Sequence, residues 1–222
     1  MLHQKPLFAF DWDDVLADRD QIREAVKELF VLAGVPPAFE QLTYDYAKRQ
    51  GGYHFRAQLR AVLRQFPYLI PTAPVIQRTF EESLGRLSAM IYPDAERFIV
   101  RLHTANLPIA IVTTGDTDFQ QRKVARAGLS RYAEHMIFVP HRNESIGEDK
   151  SRALGQLLEM YPKILYFEDR PHIIKKVHEE HGRHGRIVPI RVDRKLESTI
   201  KYPNIIRHFD DFDLDKWVGN GS

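Results

Sequence analysis

Three carboxylates close an apolar run near the start of the chain, where Phe8-Ala9-Phe10 is followed by Asp11-Trp12-Asp13-Asp14. Carboxylates repel one another, so crowding them has a chemical use when a cation or a shared proton lies between them. If the backbone stays extended, Asp11 and Asp13 fall on one side. Two carboxylates so placed could hold Mg²⁺, a hard ion that prefers one or two carboxylates together with water and phosphate oxygens. A solvated turn with Asp as turn former and helix cap would give the same letters. Two later apolar runs also end in polar chemistry: residues 109–112 run into Thr113-Thr114-Gly115-Asp116, and residues 164–167 run into Glu168-Asp169. Lys150 lies between them at the start of a helical stretch, where the positive end of the helix dipole makes lysine mildly unfavourable.

The elements that must gather these groups follow from hydrophobic patterning. Residues 7–10 are aromatic-rich and too short for a helix, so they read as a buried strand with the acids at its C-terminal edge. From residue 92 onward, strands at 109–112, 136–139, 164–167 and 187–192 alternate with helical stretches. That alternation predicts an α/β fold: a doubly wound, Rossmann-like, mostly parallel sheet with helices on both faces. Its strand ends share one edge, so Asp11, Asp13, Thr113, Glu168 and Asp169 can converge there.

Between the first and second strands, residues 20–34, 37–49, 53–66 and 73–90 carry helical stripes, broken at Gly51-Gly52 and at residues 67–74. The division expected is a core of residues 1–18 and 91–222 with an inserted all-helical unit of residues 19–90, large enough for a small bundle.

Composition narrows the class. The 222 residues carry a formal net charge of +2, with 43% apolar and 28% charged residues, which is ordinary globular composition and gives no global electrostatic case for nucleic acid or a membrane surface. Cysteine is absent, which excludes disulfides, zinc-thiolate sites and cysteine catalysis. Asp11 and Asp13 interrupt the only early apolar run and no segment approaches a membrane span, so a cytoplasmic location is expected. Nothing in the sequence specifies an oligomeric state.

The order Asp11-x-Asp13-x-Val15, then Thr113 after an apolar strand, then Lys150, then Glu168-Asp169 after another, resembles the four motifs of the haloacid dehalogenase (HAD) superfamily. The resemblance spans about residues 7–192. It implies a Mg²⁺-dependent phosphatase that hydrolyses a small phosphate monoester. Asp11 would be the nucleophile forming an aspartyl-phosphate, and Asp13 the acid and then the base. Thr113 would bond a phosphoryl oxygen, helped by backbone N–H groups near Trp12 and Thr114, with Lys150 as a point cation. The metal would take the Asp11 carboxylate, the Asp13 main-chain carbonyl and Asp169. A carboxylate at Asp13 favours phosphate chemistry, because a halide leaving group needs no proton.

One departure stands out: where members commonly carry a further acid four residues past the last metal-binding Asp, this chain has Ile173. Glu168-Asp169 then reads as a paired-acid version, with Glu168 in the outer shell or exchanging with Asp169. The insertion resembles the helical caps of the superfamily, which close over the site and choose the substrate.

Within it, Arg56, Arg60 and Arg64 recur every fourth residue beside an apolar stripe. They read as a solvated basic face or, for Arg56, as a contact to an anionic substrate, with Lys48 and Arg49 as equal candidates. Rival readings are a phosphomutase or other phosphotransferase, a non-catalytic phosphate-binding regulatory module, and an enzyme of nucleic-acid ends resting only on these arginines. The acids of residues 210–215 lack the glycine and distal glutamate of a calcium loop and read as a surface segment.

Overall fold

The computed structural model of the protein describes residues 4–49, 52–140, 146–195 and 204–218. Six strands, β1 (Leu7–Phe10), β2 (Ile109–Gly115), β3 (His135–Pro140), β4 (Ile164–Glu168), β5 (Ile187–Val192) and β6 (Ile205–Ile206), form one sheet in the order β3-β2-β1-β4-β5-β6. Every pairing is parallel. The chain builds outward from β1 to β2 and β3 on one side, then crosses to β4 on the other. The strand order therefore reverses beside β1, the place where open α/β sheets bind ligands.

Strand β1 is central because all four of its side chains are apolar and none is accessible, as expected of a strand covered on both faces. Phe8 and Phe10 face one layer, with Phe10 stacked on Phe167 of β4 at 4.7 Å between ring centroids. Leu7 and Ala9 face the other. The first layer is covered by Phe98, Ile99 and Leu102, and the second by Leu154, Leu157, Ile173 and Val177.

The helices in chain order are α1 (Arg19–Leu32), α2 (Pro37–Arg49), α3 (Phe55–Gln65), α4 (Ala73–Leu84), α5 (Pro93–Thr104), α6 (Thr117–Arg126), α7 (Ile146–Leu157), α8 (Pro171–His181) and the single turn α9 (Asp215–Val218). Helix α5 supplies the first cover, α7 and α8 the second.

Among the described residues, 19–84 hold only helices and one 3-10 segment, Pro67–Thr72. Asp18 caps α1 by accepting from the backbone N–H groups of Asp20 and Gln21 at 3.0 and 3.3 Å, a standard use of Asp before a helix. The segment's apolar residues, with Phe55 stacked on Phe80 at 3.7 Å, belong to the same core cluster as Phe8, Phe10 and Phe98. Its two connections to the sheet run side by side: Asp18 N–H donates to Met90 O at 2.9 Å and Tyr92 N–H to Leu16 O at 3.0 Å.

Two expectations change. The stripe over residues 73–90 is not one helix: Gly85 and Arg86 donate back three residues, to Glu82 and Ser83, which ends α4 before a separate 3-10 turn at Leu87–Met90. Residues 210–215 are not merely surface, since Phe212 and Leu214 are buried beside Phe209 and Phe98 while the acids between them face outward. Among the described residues, no helix is long and apolar enough to cross a membrane.

Candidate active site

The floor of the site is a chain of buried charges at the ends of β1 and β4. Asp11 follows β1 directly, and its N–H donates to Phe167 O of the neighbouring strand at 2.9 Å. Lys150, on the first turns of α7 and fully buried, lies 2.8 Å from Asp11 Oδ1 and 2.7 Å from Glu168 Oε2. Tyr166, two residues before Glu168 and so on the same face of β4, donates to the same Oε2 at 2.6 Å, while Arg170 N–H donates to Oε1 at 3.1 Å. Both Glu168 oxygens are thus satisfied, which makes Glu168 the support of Lys150.

Oxygens of Asp11, Glu168 and Asp169 lie within 4.8 Å of one another. Asp11 Oδ2 and Asp169 Oδ1 are buried without a hydrogen-bond partner among the described residues. Unsatisfied buried acceptors on an all-oxygen set suit a hard divalent cation, so the residues present fit the metal that this arrangement implies.

The electrostatics follow from burial. Burial, and then Glu168 beside it, push Asp11 up to about 6 against the pull of Lys150. Burial and Glu168 push Asp169 up to about 9. Glu168 would also be raised by burial, but Lys150 and Arg170 hold it down at about 2. Burial and mutual repulsion thus disfavour two full charges on the Glu168-Asp169 pair. Lys150 would be lowered by burial, yet Asp11 and Glu168 raise it above the usual lysine range, so it stays charged.

Asp13 does not share this floor. Its carboxylate Oδ1 accepts from Lys123 Nζ of α6 at 2.6 Å. Burial alone would raise Asp13, but Lys123 holds it below the usual carboxylate range. The extended geometry that would align Asp11 with Asp13 gives way to a turn, in which Leu16 and Ala17 N–H both donate to Trp12 O at 3.0 Å. Asp14 takes positive φ (60°) in that turn and is tied to Arg19 at 2.9 Å and to Lys195 at 3.0 Å. Arg194 completes the support by donating to Val15 O at 3.0 Å through Nη2 and pairing with Asp94 at 3.1 Å.

Thr113 and Thr114 are the last strand residues of β2 before Gly115, because the ladder with β3 runs on to Gly115 opposite Pro140. The Thr113 hydroxyl is buried and has no partner among the described residues. The Trp12 side chain is fully buried, and its indole Nε1 has no hydrogen-bond partner among the described residues. Above lies a cleft of about 100 Å³ lined on one wall by Asp13, Thr114, Gly115, Gln120 and Lys123, and on the other by Arg23, Tyr44, Lys48 and Tyr53 of the helical segment. Arg56 does not line it. Helix α3 buries Phe55, Leu59 and Val62, which turns Arg56, Arg60 and Arg64 to solvent. Of the three cations weighed for an anionic substrate, only Lys48 reaches the cleft.

A model of the haloacid dehalogenase-like hydrolase family matches residues 6–175. The chain belongs to this family. A search among curated proteins finds no match. In structure, this HAD-like hydrolase is similar to a haloacid dehalogenase-like hydrolase of Burkholderia xenovorans LB400, with 20% identity, 94% of this chain and 95% of that one covered, and a TM-score of 0.73. It is also similar to a predicted phosphoglycolate phosphatase of Haemophilus somnus 129PT (18% identity, 95% and 97% covered, TM-score 0.57). A third similar structure is the L-2-haloacid dehalogenase of Xanthobacter autotrophicus with chloropropionic acid covalently bound (18% identity, 86% and 78% covered, TM-score 0.53). At these identities the likeness speaks for the fold, and one fold hosts different chemistries.

Sequence reasoning missed four groups in the hydrolase's site: Lys123, Tyr166, Arg170 and Gln120. Two had local signals. Tyr166 shares strand parity with Glu168, and Lys123 sits on the buried stripe of α6 with Phe119 and Val124, an expensive place for a cation without a partner.

Proposed function

We propose that this HAD-like hydrolase is a Mg²⁺-dependent phosphatase that cleaves a small phosphate monoester through an aspartyl-phosphate on Asp11. The observation that carries the choice over dehalogenation is the Asp13 carboxylate on the cleft wall, a group that can pass a proton to a leaving alkoxide and that a departing halide would not need.

Asp11 supplies the nucleophilic carboxylate, and Lys150, 2.8 Å from it, offsets its charge. The free Thr113 hydroxyl and the backbone N–H groups at Trp12 and Thr114 receive the phosphoryl oxygens, so the donors stand in place before charge develops. As the Asp11 oxygen bonds to phosphorus and the ester P–O bond breaks, Asp13 delivers a proton to the leaving alkoxide. Asp13 is ionised in the free site. The incoming phosphoryl charge competes for Lys123 and disfavours a second anion nearby, so proton uptake at Asp13 accompanies binding. In the second half, Asp13 takes a proton from water, the water oxygen bonds to phosphorus, and Asp11 is released as a carboxylate.

Mg²⁺, held by Asp11, Asp169 and the Asp13 carbonyl, would neutralise phosphoryl charge and orient the group for in-line displacement. Residues 19–90 act as the cap on this reading, with residues 1–18 and 91–222 as the core. The paired connections at Asp18 and Tyr92 form the joint.

A phosphate-release screen over a panel of metabolite phosphate esters, run with Mg²⁺ and with chelator, tests the reading. Release by the wild type with Mg²⁺ is expected, with none from Asp11→Asn and none in chelator. Silence across the panel, or turnover that survives Asp11→Asn, would overturn it.

A further inference from the structure

The cleft above the strand ends, at about 100 Å³, is far smaller than the roughly 300–1,000 Å³ of sites for drug-sized ligands. Most of its charge is already committed. Arg23 forks onto Glu40 at 3.0 and 2.6 Å, Arg19 pairs with Asp14 at 2.9 Å, and Lys123 with Asp13 at 2.6 Å.

Gln120 differs from these. It lies on α6 three residues before Lys123, lines the cleft and is 5% exposed. Its Nε2 donates to Thr114 O at 3.1 Å, which fixes the amide's orientation, since turning it over would set two carbonyl oxygens against each other. Room for this comes from Gly115, with φ +146°, where a Cβ would lie 2.7 Å from Nε2. The consequence is a buried Oε1 that has no hydrogen-bond partner among the described residues.

We infer that Gln120 is a specificity-determining residue, whose Oε1 accepts a hydrogen bond from a hydroxyl on the alcohol portion of the substrate. The preferred class is then a short hydroxylated alkyl phosphate. This rests on the phosphatase reading. Gln120 stands one helical turn from the lysine that holds Asp13, the group serving the leaving oxygen, so it is on the alcohol's side of the reaction. A hydroxyl suits it better than an ammonium donor, because Arg19, Lys123 and Arg170 line the same cleft and repel a cation. The small cleft and its aromatic wall of Tyr44, Tyr53 and Phe119 suit a short carbon chain.

The test measures kcat/KM for 2-hydroxyethyl phosphate, ethyl phosphate and 2-phosphoglycolate with wild type and Gln120→Met. The wild type is expected to favour the hydroxyl ester over ethyl phosphate by at least about tenfold, since a site built to bond a hydroxyl rejects the analogue that lacks it. In Gln120→Met that ratio falls to near one. A wild-type ratio near one overturns the inference and needs no variant to do so, so a variant that fails to fold leaves the test intact. A ratio retained in Gln120→Met also overturns it. So does a preference for the carboxylate ester over the hydroxyl ester, which would place recognition at Lys48. Failure of the phosphatase reading looks different: no ester releases phosphate from the wild type, and both fall together.

Discussion

At the strand ends, Lys150, Glu168 and Tyr166 are fully buried and joined by bonds of 2.6 to 2.7 Å. Across the cleft, some contacts that join the helical segment to the α/β body, among them His54 with Asp116 at 3.2 Å and the Arg122–Glu81 ion pair, stand partly in solvent. Water screens the second set, and exposed pairs contribute roughly 0.2–1 kcal/mol each. The first set has no such screening, so each member depends on the others. The floor's charges therefore need no rearrangement when a reaction begins, while the roof meets the body through these screened contacts and through Tyr53 and Phe80 packed on Phe119.

The largest break in that contrast is Lys150→Met. It leaves Glu168 and Asp11 buried without their cation, so phosphate release falls by at least about 10²–10³-fold, and stability drops by about 3–5 kcal/mol. Steady-state assays and denaturant titration read the two effects. A fully active and stable variant would show that the floor is not coupled as described.

Lys123→Met sharpens the boundary between floor and roof. If Lys123 serves Asp13, the loss is about 10²-fold for alkyl esters and much less for aryl esters, whose phenolate leaves without help. An equal loss for both ester types would reduce Lys123 to a packing role.

The floor also sets a pH dependence. Burial and Glu168 push Asp169 up to about 9, and a metal needs its ionised form. Affinity for Mg²⁺ is therefore highest above that pH and weakens as pH falls, by up to about tenfold per unit, with proton release on binding. Calorimetry in buffers of different ionisation enthalpy detects the proton, and an affinity flat from about pH 6 to about 9 contradicts the assignment.

The smallest effects belong to the roof. Arg122→Ala should shift stability by less than about 1 kcal/mol, and Arg56→Ala should leave KM unchanged because Arg56 faces solvent. A KM shift for Arg56→Ala, measured on the best ester, would bring back the cap-arginine contact that the structure turns away.

Much of the floor was legible in the sequence because apolar runs report strands and parallel strands share an edge. Phe8 and Phe10 against Leu7 and Ala9 already imply a strand buried on both sides, and the acids after Phe10 and Phe167 then meet by topology. The partners of those acids were harder to read. Asp13 and Lys123 lie 110 residues apart, and nothing local in either segment names the other. An Asp in a turn after a strand reads as a turn former, and Asp14 is such a residue. Its positive φ agrees, yet Arg19 and Lys195 also make it an anchor of the loop. The orientation of α3, which decides the fate of Arg56, depends on packing against Phe30 and Phe80, and the arginine spacing alone carries no sign of it. Ile173, where an acid was looked for, is fully buried in the second layer. Of the pair Glu168-Asp169, Glu168 is taken up by Lys150, Tyr166 and the Arg170 N–H, which leaves Asp169 as the acid with an unpartnered oxygen.

The central claim is that Asp11 becomes covalently phosphorylated. Mixing the protein with Mg²⁺ and a turned-over ester, quenching in acid within the first turnover and mapping peptides by mass spectrometry tests it directly. The account predicts a labile phosphoryl group on the peptide containing Asp11, absent in Asp11→Asn. Turnover with no label on that peptide, or a label on another residue, would contradict it.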